Sequence, residues 1–181
     1  MGAAKRRFDA IYKYASDDDI VLLLGMDDEL LPNCLNRISK EYEAAKWMTY
    51  GNWIDQHKQG LPVDFNLYFD NEIHENNSYR KVLYRSTAPN TFYAWLFKLI
   101  PEDDFKIDGG WITSTTESEA MFSCLEMSGP DRIGVIEDYI YLYRKNLPGG
   151  TLKRLGVDFK YQLYDVIIQR TPKGRLAGRP V

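Results

Sequence analysis

Cysteine and histidine are scarce in this sequence, which has two of each among its 181 residues. Cys34 and Cys124 are far apart and fall within helical patterns, so they are predicted to be buried, reduced thiols rather than a disulfide or a metal-binding knuckle. His57 and His74 lie in a polar region and lack the spacing of a zinc motif. Neither histidine is assigned a role.

Long apolar runs are also lacking. No stretch approaches the ~18 residues that a membrane-spanning helix requires, and residues 1–7 lack the apolar segment of a signal peptide. These features predict a cytoplasmic protein without a transmembrane segment. The net charge of -3 argues against a general nucleic-acid-binding protein.

Aromatic residues, by contrast, are abundant. They make up 14% of the sequence, with 4 Trp and 13 Tyr. Most are expected in the core, but Tyr and Trp also suit a carbohydrate-handling surface. Their flat rings cover the C–H faces of sugars while their polar atoms keep hydrogen bonds.

Hydrophobic periodicity predicts an α/β protein. Residues 1–170 are expected to form one domain, and the segment 171–181, which contains Pro, Gly and Arg, a disordered basic tail. Residues 55–77 are predicted to be a long polar loop, either functional or disordered. Helices are predicted at residues 4–15, 32–45, 91–99, 116–128 and 157–169, and strands at 20–24, 47–54 and 139–144.

An acidic turn follows the first predicted strand. Residues 20–24 show no polar alternation, which predicts a strand buried on both faces, as in a parallel α/β sheet. Asp27, Asp28 and Glu29 come next, at the strand end where open α/β sheets bind ligands. A divalent cation could bridge these carboxylates to a substrate phosphate. The alternative is an ordinary surface turn followed by the first turn of a helix.

This turn and several other segments together resemble the family 2 glycosyltransferases, which are nucleotide-sugar transferases of the GT-A fold. The resemblance covers roughly residues 2–145 and implies an N-terminally truncated, GT-A-like (Rossmann-like) fold, with a mixed, mainly parallel sheet flanked by helices. The family's first strand, helix and second strand have no counterpart in this sequence. The segments that carry the resemblance are residues 2–11, similar to G-x-x-x-A-R-N-x-A-I, the acidic turn at 19–32, and residues 50–53, 78–81, 90–92 and 117–127.

The resemblance also implies roles for single residues. Asp27 matches an acid of the family's D-x-D motif, which binds Mn²⁺ or Mg²⁺ on the diphosphate of the donor. Gly25 stands where the first acid of that motif is expected, and Asp28 is implied either to replace that acid or to order the turn. Arg80 matches a contact to the diphosphate. Trp111 lies where the family shapes its acceptor pocket, although the default position of such a tryptophan is the core.

Glu117 matches the family's catalytic base, which removes a proton from the acceptor hydroxyl in an inverting displacement. A carboxylate in the first turn of a helix stays ionised, as a base must be. Thr116 and Glu119 form a T-x-x-E pattern, which predicts a capping box. A structural role in capping the helix is equally open for Glu117.

These features predict a metal-assisted hexosyltransferase that uses a nucleoside-diphosphate sugar and a carbohydrate acceptor. The alternative is a noncatalytic carbohydrate-binding or interaction subunit with the same fold. A cation-binding protein fits less well, because the sequence has no complete calcium-binding loop. Since a strand at 20–24 needs neighbours on both edges, the chain is expected to be a fragment, a homo-oligomer, a subunit completed by a partner chain, or a degenerate relative.

Overall fold

The computed structural model describes residues 2–56, 66–144 and 157–180, with the backbone alone at 157–160. His57 and much of the predicted loop at 55–77 lie outside this part of the chain. None of the described helices is long and apolar enough to cross a membrane. The helices are α1 (Ala3–Tyr14), α2 (Cys34–Glu43), α3 (Asn71–Glu75), α4 (Ala94–Lys98), α5 (Thr116–Ser128) and α6 (Val157–Ile168).

The described strands form a mixed, curled sheet with helices packed on it, and a separate two-stranded sheet. The order of the main sheet is β1-β4-β3-β7-β2, and β5 pairs with β6. The strands are β1 (Ile20–Leu23), β2 (Glu29–Leu30), β3 (Met48–Asp55), β4 (Asn90–Tyr93), β5 (Lys106–Ile107), β6 (Gly110–Trp111) and β7 (Ile133–Tyr143).

The prediction of a mainly parallel sheet is wrong. Within the main sheet β3 and β7 are parallel neighbours, whereas the β1–β4, β4–β3 and β7–β2 pairs are antiparallel. The expectation of an α/β protein with helices on a sheet is correct. The pairings also make β1, β3 and β7 run in the same direction, so their C-terminal ends meet at one edge of the sheet.

Strand β1 is an outer strand of the described sheet rather than a strand buried on both faces. Its side chains are half-buried or exposed, and β4 is its described neighbour. Val21 and Leu23 pack against the main hydrophobic core, whereas Leu22 packs against a smaller cluster on the opposite face. Both faces of β1 contact apolar side chains, which explains why residues 20–24 show no alternation of polar and apolar residues. The strand nevertheless lies at the end of the described sheet and not in its centre.

Two apolar clusters lie on the two faces of the main sheet. The larger one includes Phe8 of α1 and Met121 of α5, together with Phe92 of β4, and it contains most of the buried aromatic side chains. The smaller one lies between α2 and β7, where Ile38 packs near Ile140. The sheet is therefore covered on both faces, and the site described below lies at its edge.

The predicted helix patterns are confirmed with local corrections. Helix α1 buries Ala4, Phe8 and Ile11, as its spacing predicts. Helix α2 begins later than predicted, and Leu35, which was expected on its buried face, is exposed. Both cysteines are buried free thiols, in agreement with the prediction.

The region predicted as a helix at 91–99 divides into strand β4 and the short helix α4. Thr91 and Phe92 pair with β1 on one side and β3 on the other. A four-residue strand that is paired on both edges therefore occupies the first half of the predicted helix. Tertiary pairing overrides a short helical pattern in such a segment.

Residues 171–180, which the sequence predicts to be a disordered tail, make specific contacts with the domain. The backbone N–H of Leu176 donates to the carbonyl of Met127 at 2.9 Å. The Arg132 guanidinium donates to the carbonyls of Leu176 and Ala177. A segment with few apolar residues is thus held by backbone hydrogen bonds, which composition does not reveal.

Candidate functional site

A cavity of about 440 Å³ lies where the C-terminal ends of β1, β3 and β7 meet. Leu23, Trp53 and Tyr143 line it from these three strands, and the acidic turn and the N-terminus of α5 complete its wall. Its volume lies within the range of small-molecule sites. The carboxyl ends of strands are also where open α/β sheets bind ligands.

Asp28 lines this cavity and is held by β7. Its Oδ2 accepts a hydrogen bond from the Tyr141 hydroxyl at 2.5 Å, and its Oδ1 accepts one from the backbone N–H of Arg144 at 2.9 Å. Burial and the neighbouring Asp28 carboxylate raise the pKa of Tyr141, so the phenol stays protonated and donates. Asp28 therefore orders the turn and also contributes negative charge to the cavity.

Gly25 is required for this arrangement. A Cβ atom at this position would overlap with Oδ2 of Asp28. The Gly25 backbone N–H also donates to the Tyr141 hydroxyl at 3.2 Å. Gly25 is therefore the residue that leaves room for the Asp28 side chain.

We expect Gly25→Ala to destabilise the protein by about 1–3 kcal/mol, because the new methyl group forces Asp28 away from Tyr141. Urea unfolding measures this loss. Gly174→Ala is the control, since a Cβ atom there has no neighbour within 4 Å. Equal losses in the two variants would contradict the proposed packing of the turn.

Glu117 lies on the first turn of α5 and lines the same cavity. Its Oε2 accepts hydrogen bonds from Arg7 Nη1 at 3.0 Å and from the Thr116 hydroxyl at 3.3 Å, while its side chain is 44% exposed. Burial acts to raise the pKa of Glu117, but the Arg7 cation, a backbone N–H and the Thr116 hydroxyl together hold it below its ordinary value. The carboxylate is therefore ionised at neutral pH and accessible from the cavity.

The predicted capping box is wrong. Thr116 is the first helical residue of α5, and the N-cap is Thr115, which is in the left-handed region and makes no side-chain cap. Glu119 instead points into the core, where its carboxylate accepts hydrogen bonds from Arg80 and Arg170. A capping box uses the third residue of the helix. Because α5 begins at Thr116, Glu119 is its fourth residue and lies one position beyond the one that reaches the cap.

Arg80 belongs to this buried ion cluster and not to the cavity wall. It is 3% exposed, and its guanidinium binds the carboxylates of Glu119 and Glu126 and the carbonyl of Ile167. The sequence places a cation here but cannot show that it faces inward. We therefore do not include Arg80 among the residues that contact a ligand in this cavity.

Asp27 and Trp111 also lie outside the cavity wall. Trp111 packs against Phe8, with ring centroids 5.4 Å apart, and Lys5 lies over its ring. Asp27 is half-buried. It lies close enough to the cavity residue Tyr143 for its carboxylate to act on that phenol: burial first, and then the carboxylates around it, including that of Asp27, raise the pKa of Tyr143. Of the predicted site residues, the structure thus brings together Asp28 and Glu117.

Several cavity residues were not predicted from the sequence. Trp53 and Tyr143 form an aromatic wall, with ring centroids 5.1 Å apart in an edge-on arrangement. Ser86 and Asn90 contribute polar groups from the segment that leads into β4. The alternation of tyrosines with aliphatic residues in β7 is a sequence signal for Tyr143. Tyr141 and Tyr143 are two residues apart, so they share a face of the strand.

A metal ion in a protein is held by several His, Cys, Asp or Glu side chains that converge on one point. In residues 2–56, 66–144 and 157–180, no group of three or more His, Cys, Asp or Glu side chains is arranged to hold one. The Asp28 carboxylate already accepts two hydrogen bonds, and Asp27 lies beside the cavity.

No protein-family model and no curated protein matches this chain. The chemistry that the site can perform is therefore indicated only by the side chains that line the cavity. An ionised carboxylate, an arginine, buried polar side chains and aromatic rings surround one cavity. Hydrogen-bonding groups beside flat apolar rings suit a ligand with several hydroxyl groups and C–H faces.

Proposed function

We propose that the chain is a glycosyltransferase of the family 2 type, which transfers a hexose from a nucleoside-diphosphate sugar to a carbohydrate hydroxyl. The observation that carries this proposal is that Asp28 and Glu117, distant in sequence, line one cavity at the C-terminal ends of three strands. The resemblance to that family implies that Glu117 is the base and that Asp28 either replaces the first acid of the metal-binding motif or orders the turn. A GT-A-like arrangement is part of the proposal and is supported by the common direction of β1, β3 and β7.

In this proposal Glu117 is the catalytic base. Its carboxylate takes the proton of the acceptor hydroxyl while the acceptor oxygen forms a bond to the anomeric carbon of the donor. The bond from that carbon to the diphosphate oxygen breaks at the same time, with inversion, and the nucleoside diphosphate leaves. Arg7, which lines the cavity beside Glu117, contributes a positive charge that favours the anionic donor.

A divalent ion is also part of this proposal. Asp27 would hold Mn²⁺ or Mg²⁺ together with the donor, and the ion would supply positive charge that stabilises the diphosphate leaving group. The protein's contribution is the position of the acidic turn, which Tyr141 and the Arg144 backbone hold against β7.

We expect Mn²⁺ together with a uridine or guanosine diphosphate hexose to raise the Tm by roughly 5–10 °C at 100 times Kd. Asp27→Ala is expected to abolish the metal-dependent part of this rise, measured by differential scanning fluorimetry. Asp131→Ala is the control, because Asp131 is exposed and precedes β7 at the end opposite the cavity. A wild-type protein that shows no shift with any of these donors would leave the enzymatic proposal without support.

The second candidate is a noncatalytic carbohydrate-binding or interaction subunit. It is favoured by the Asp28 carboxylate, whose two oxygens already accept hydrogen bonds from the Tyr141 hydroxyl and the Arg144 backbone N–H. This candidate predicts glycan binding that is unaffected by chelators and by Glu117→Gln. The enzymatic proposal predicts instead that donor binding requires metal and that turnover requires Glu117.

The expectation that a further chain completes the sheet concerns β1. Among the described strands, β1 pairs with β4 alone, so its other edge has no described partner. A homo-oligomer or a partner chain at this edge stays a prediction. Size-exclusion chromatography with light scattering measures the oligomeric state directly.

A further inference from the structure

Ser86 carries a buried hydroxyl group whose hydrogen bonds are not satisfied. The residue is 0% exposed, and its Oγ has no hydrogen-bond partner among the described residues. Folded proteins pair nearly all of their buried polar atoms, because an unpaired one costs free energy. Ser86 also lies in the wall of the cavity that contains Asp28 and Glu117.

The segment that carries Ser86 is held firmly in place. In the amide orientation that its surroundings favour, Asn90 donates to the carbonyls of Thr87 at 2.8 Å and Ser86 at 3.0 Å. The hydroxyl of Thr87 donates to the Gly51 carbonyl at 2.5 Å, and the Gly51 N–H donates back to the Thr87 carbonyl at 3.0 Å. These bonds fix the backbone around Ser86 to β3, while its hydroxyl keeps an unused hydrogen-bond donor and acceptor.

The cavity also provides the apolar surface that a sugar ring requires. Trp53 and Tyr143 line it, and both rings are half-buried, so part of each ring stays accessible. Flat rings of this kind cover the C–H face of a pyranose, and a hydroxyl such as that of Ser86 can donate to and accept from a sugar hydroxyl. Neither group carries charge, which favours a neutral sugar over a phosphate on this side of the cavity.

We infer that Ser86 is the hydroxyl-recognising residue of a subsite for a neutral hexopyranose, with Trp53 and Tyr143 as its apolar wall. This inference rests on the proposed function. It narrows the carbohydrate acceptor of that function to a neutral hexopyranose and adds a residue that determines specificity. Asn90 acts as a positioning residue through its bonds to the carbonyls of Ser86 and Thr87.

The first test compares two serine variants of the full chain. Methyl glucopyranoside, galactopyranoside and mannopyranoside are titrated by ligand-observed NMR, and Ser86→Ala is expected to weaken binding of the preferred sugar about tenfold. Ser128→Ala is the matched control, since Ser128 is 2% exposed and also has an Oγ without a partner among the described residues, yet does not line the cavity. Because both variants remove an unpaired buried hydroxyl, we expect an unchanged or higher Tm in each.

The second test uses deoxy analogues of the preferred sugar. In the wild-type protein, removal of one hydroxyl from the sugar is expected to weaken binding about tenfold, whereas Ser86→Ala binds the parent sugar and that analogue equally. This pattern identifies the hydroxyl that Ser86 recognises.

Three results would overturn the inference. The first is unchanged sugar affinity in Ser86→Ala, which is expected if a buried water pairs with the hydroxyl instead. The second is an equal penalty for each deoxy analogue in the wild type and the variant. The third is no binding of any of the three pyranosides. The proposed function is tested separately by the donor-dependent Tm shift, so the two proposals can fail independently.

Discussion

Replacing Glu117 with glutamine is expected to lower the rate of hexose transfer by about 100- to 10,000-fold, the range that general base catalysis supplies. The amide keeps the size of the side chain but cannot take the proton of the acceptor hydroxyl. Because the Arg7 contact falls on Oε2, an amide oxygen in the same place can still accept it. Binding of donor and acceptor should therefore persist while turnover is lost.

The rate is measured as nucleoside diphosphate released with the donor that gives the largest Tm shift. Glu29→Gln is the control, because Glu29 is an exposed glutamate next to Asp28 that pairs with Arg144 and does not line the cavity. It is expected to change the rate by less than about threefold, consistent with the small energies of exposed ion pairs. Full turnover in Glu117→Gln would remove Glu117 from the mechanism.

The pH dependence of the reaction provides a further measurement on Glu117. Its pKa is held below the ordinary value of 4.5, mainly by Arg7, which opposes the effect of burial. The base is thus unprotonated at any pH above that value. As the pH falls, protonation of Glu117 is expected to reduce the rate only below about pH 4.5, whereas removing the Arg7 charge should shift this limb to higher pH.

Replacing Arg80 with methionine is expected to destabilise the protein by about 3–5 kcal/mol, as when one partner of a buried ion pair is removed. Its guanidinium bonds to Glu126 at 2.6 Å and to Glu119 at 3.0 Å, and both of these side chains are 0% exposed. The variant leaves two buried carboxylates with Arg170 as the remaining cation on Glu119. Chemical denaturation measures the loss.

Arg37→Met is the control for this prediction. Arg37 pairs with Glu41 and Asp138 near the surface, with 28% of its side chain exposed, so the expected loss is below about 1 kcal/mol. A triple variant with Arg80→Met, Glu119→Gln and Glu126→Gln should recover part of the Arg80 loss, because it removes the unpaired charges. Similar small losses in Arg37→Met and Arg80→Met would contradict the buried cluster.

The loss in Arg80→Met is also expected to depend on pH. Burial already raises the pKa of Glu126 above its ordinary value, and loss of the Arg80 cation raises it further. At pH values between the ordinary pKa of glutamate and the raised pKa of Glu126, the folded variant binds more protons than its unfolded chain. The free energy of unfolding of the variant therefore falls as the pH rises. The deficit relative to the wild type should therefore be smaller at pH 5 than at pH 8.

Hydrophobic periodicity was sufficient for most of the helices. The spacing of Ala4, Phe8 and Ile11 predicts α1, and Gly129 marks the end of α5. The same reasoning failed for β1, because Leu22 and Leu23 face different apolar clusters on the two sides of the sheet. An apolar run indicates burial of its side chains but does not indicate which strands lie beside it.

The candidate site was predicted in part. The resemblance implies roles for Asp27, Asp28 and Glu117, and of these Asp28 and Glu117 line the cavity whereas Asp27 lies beside it. Arg80 was expected in the site as well, yet its charge is enclosed by Glu119 and Glu126. A local pattern specifies the type of a side chain but not the side chains that it meets across the fold.

The sequence by itself determined the α/β class, most of the helices, the buried free thiols and the acidic turn before α2. Only the tertiary structure decided that Asp28 rather than Asp27 enters the cavity, because Tyr141 and Arg144, more than a hundred residues away, bind its carboxylate. It also decided that Ser86 is a buried hydroxyl in the same wall. Orientation and burial depend on hydrogen bonds and packing between distant segments, which no local residue pattern records.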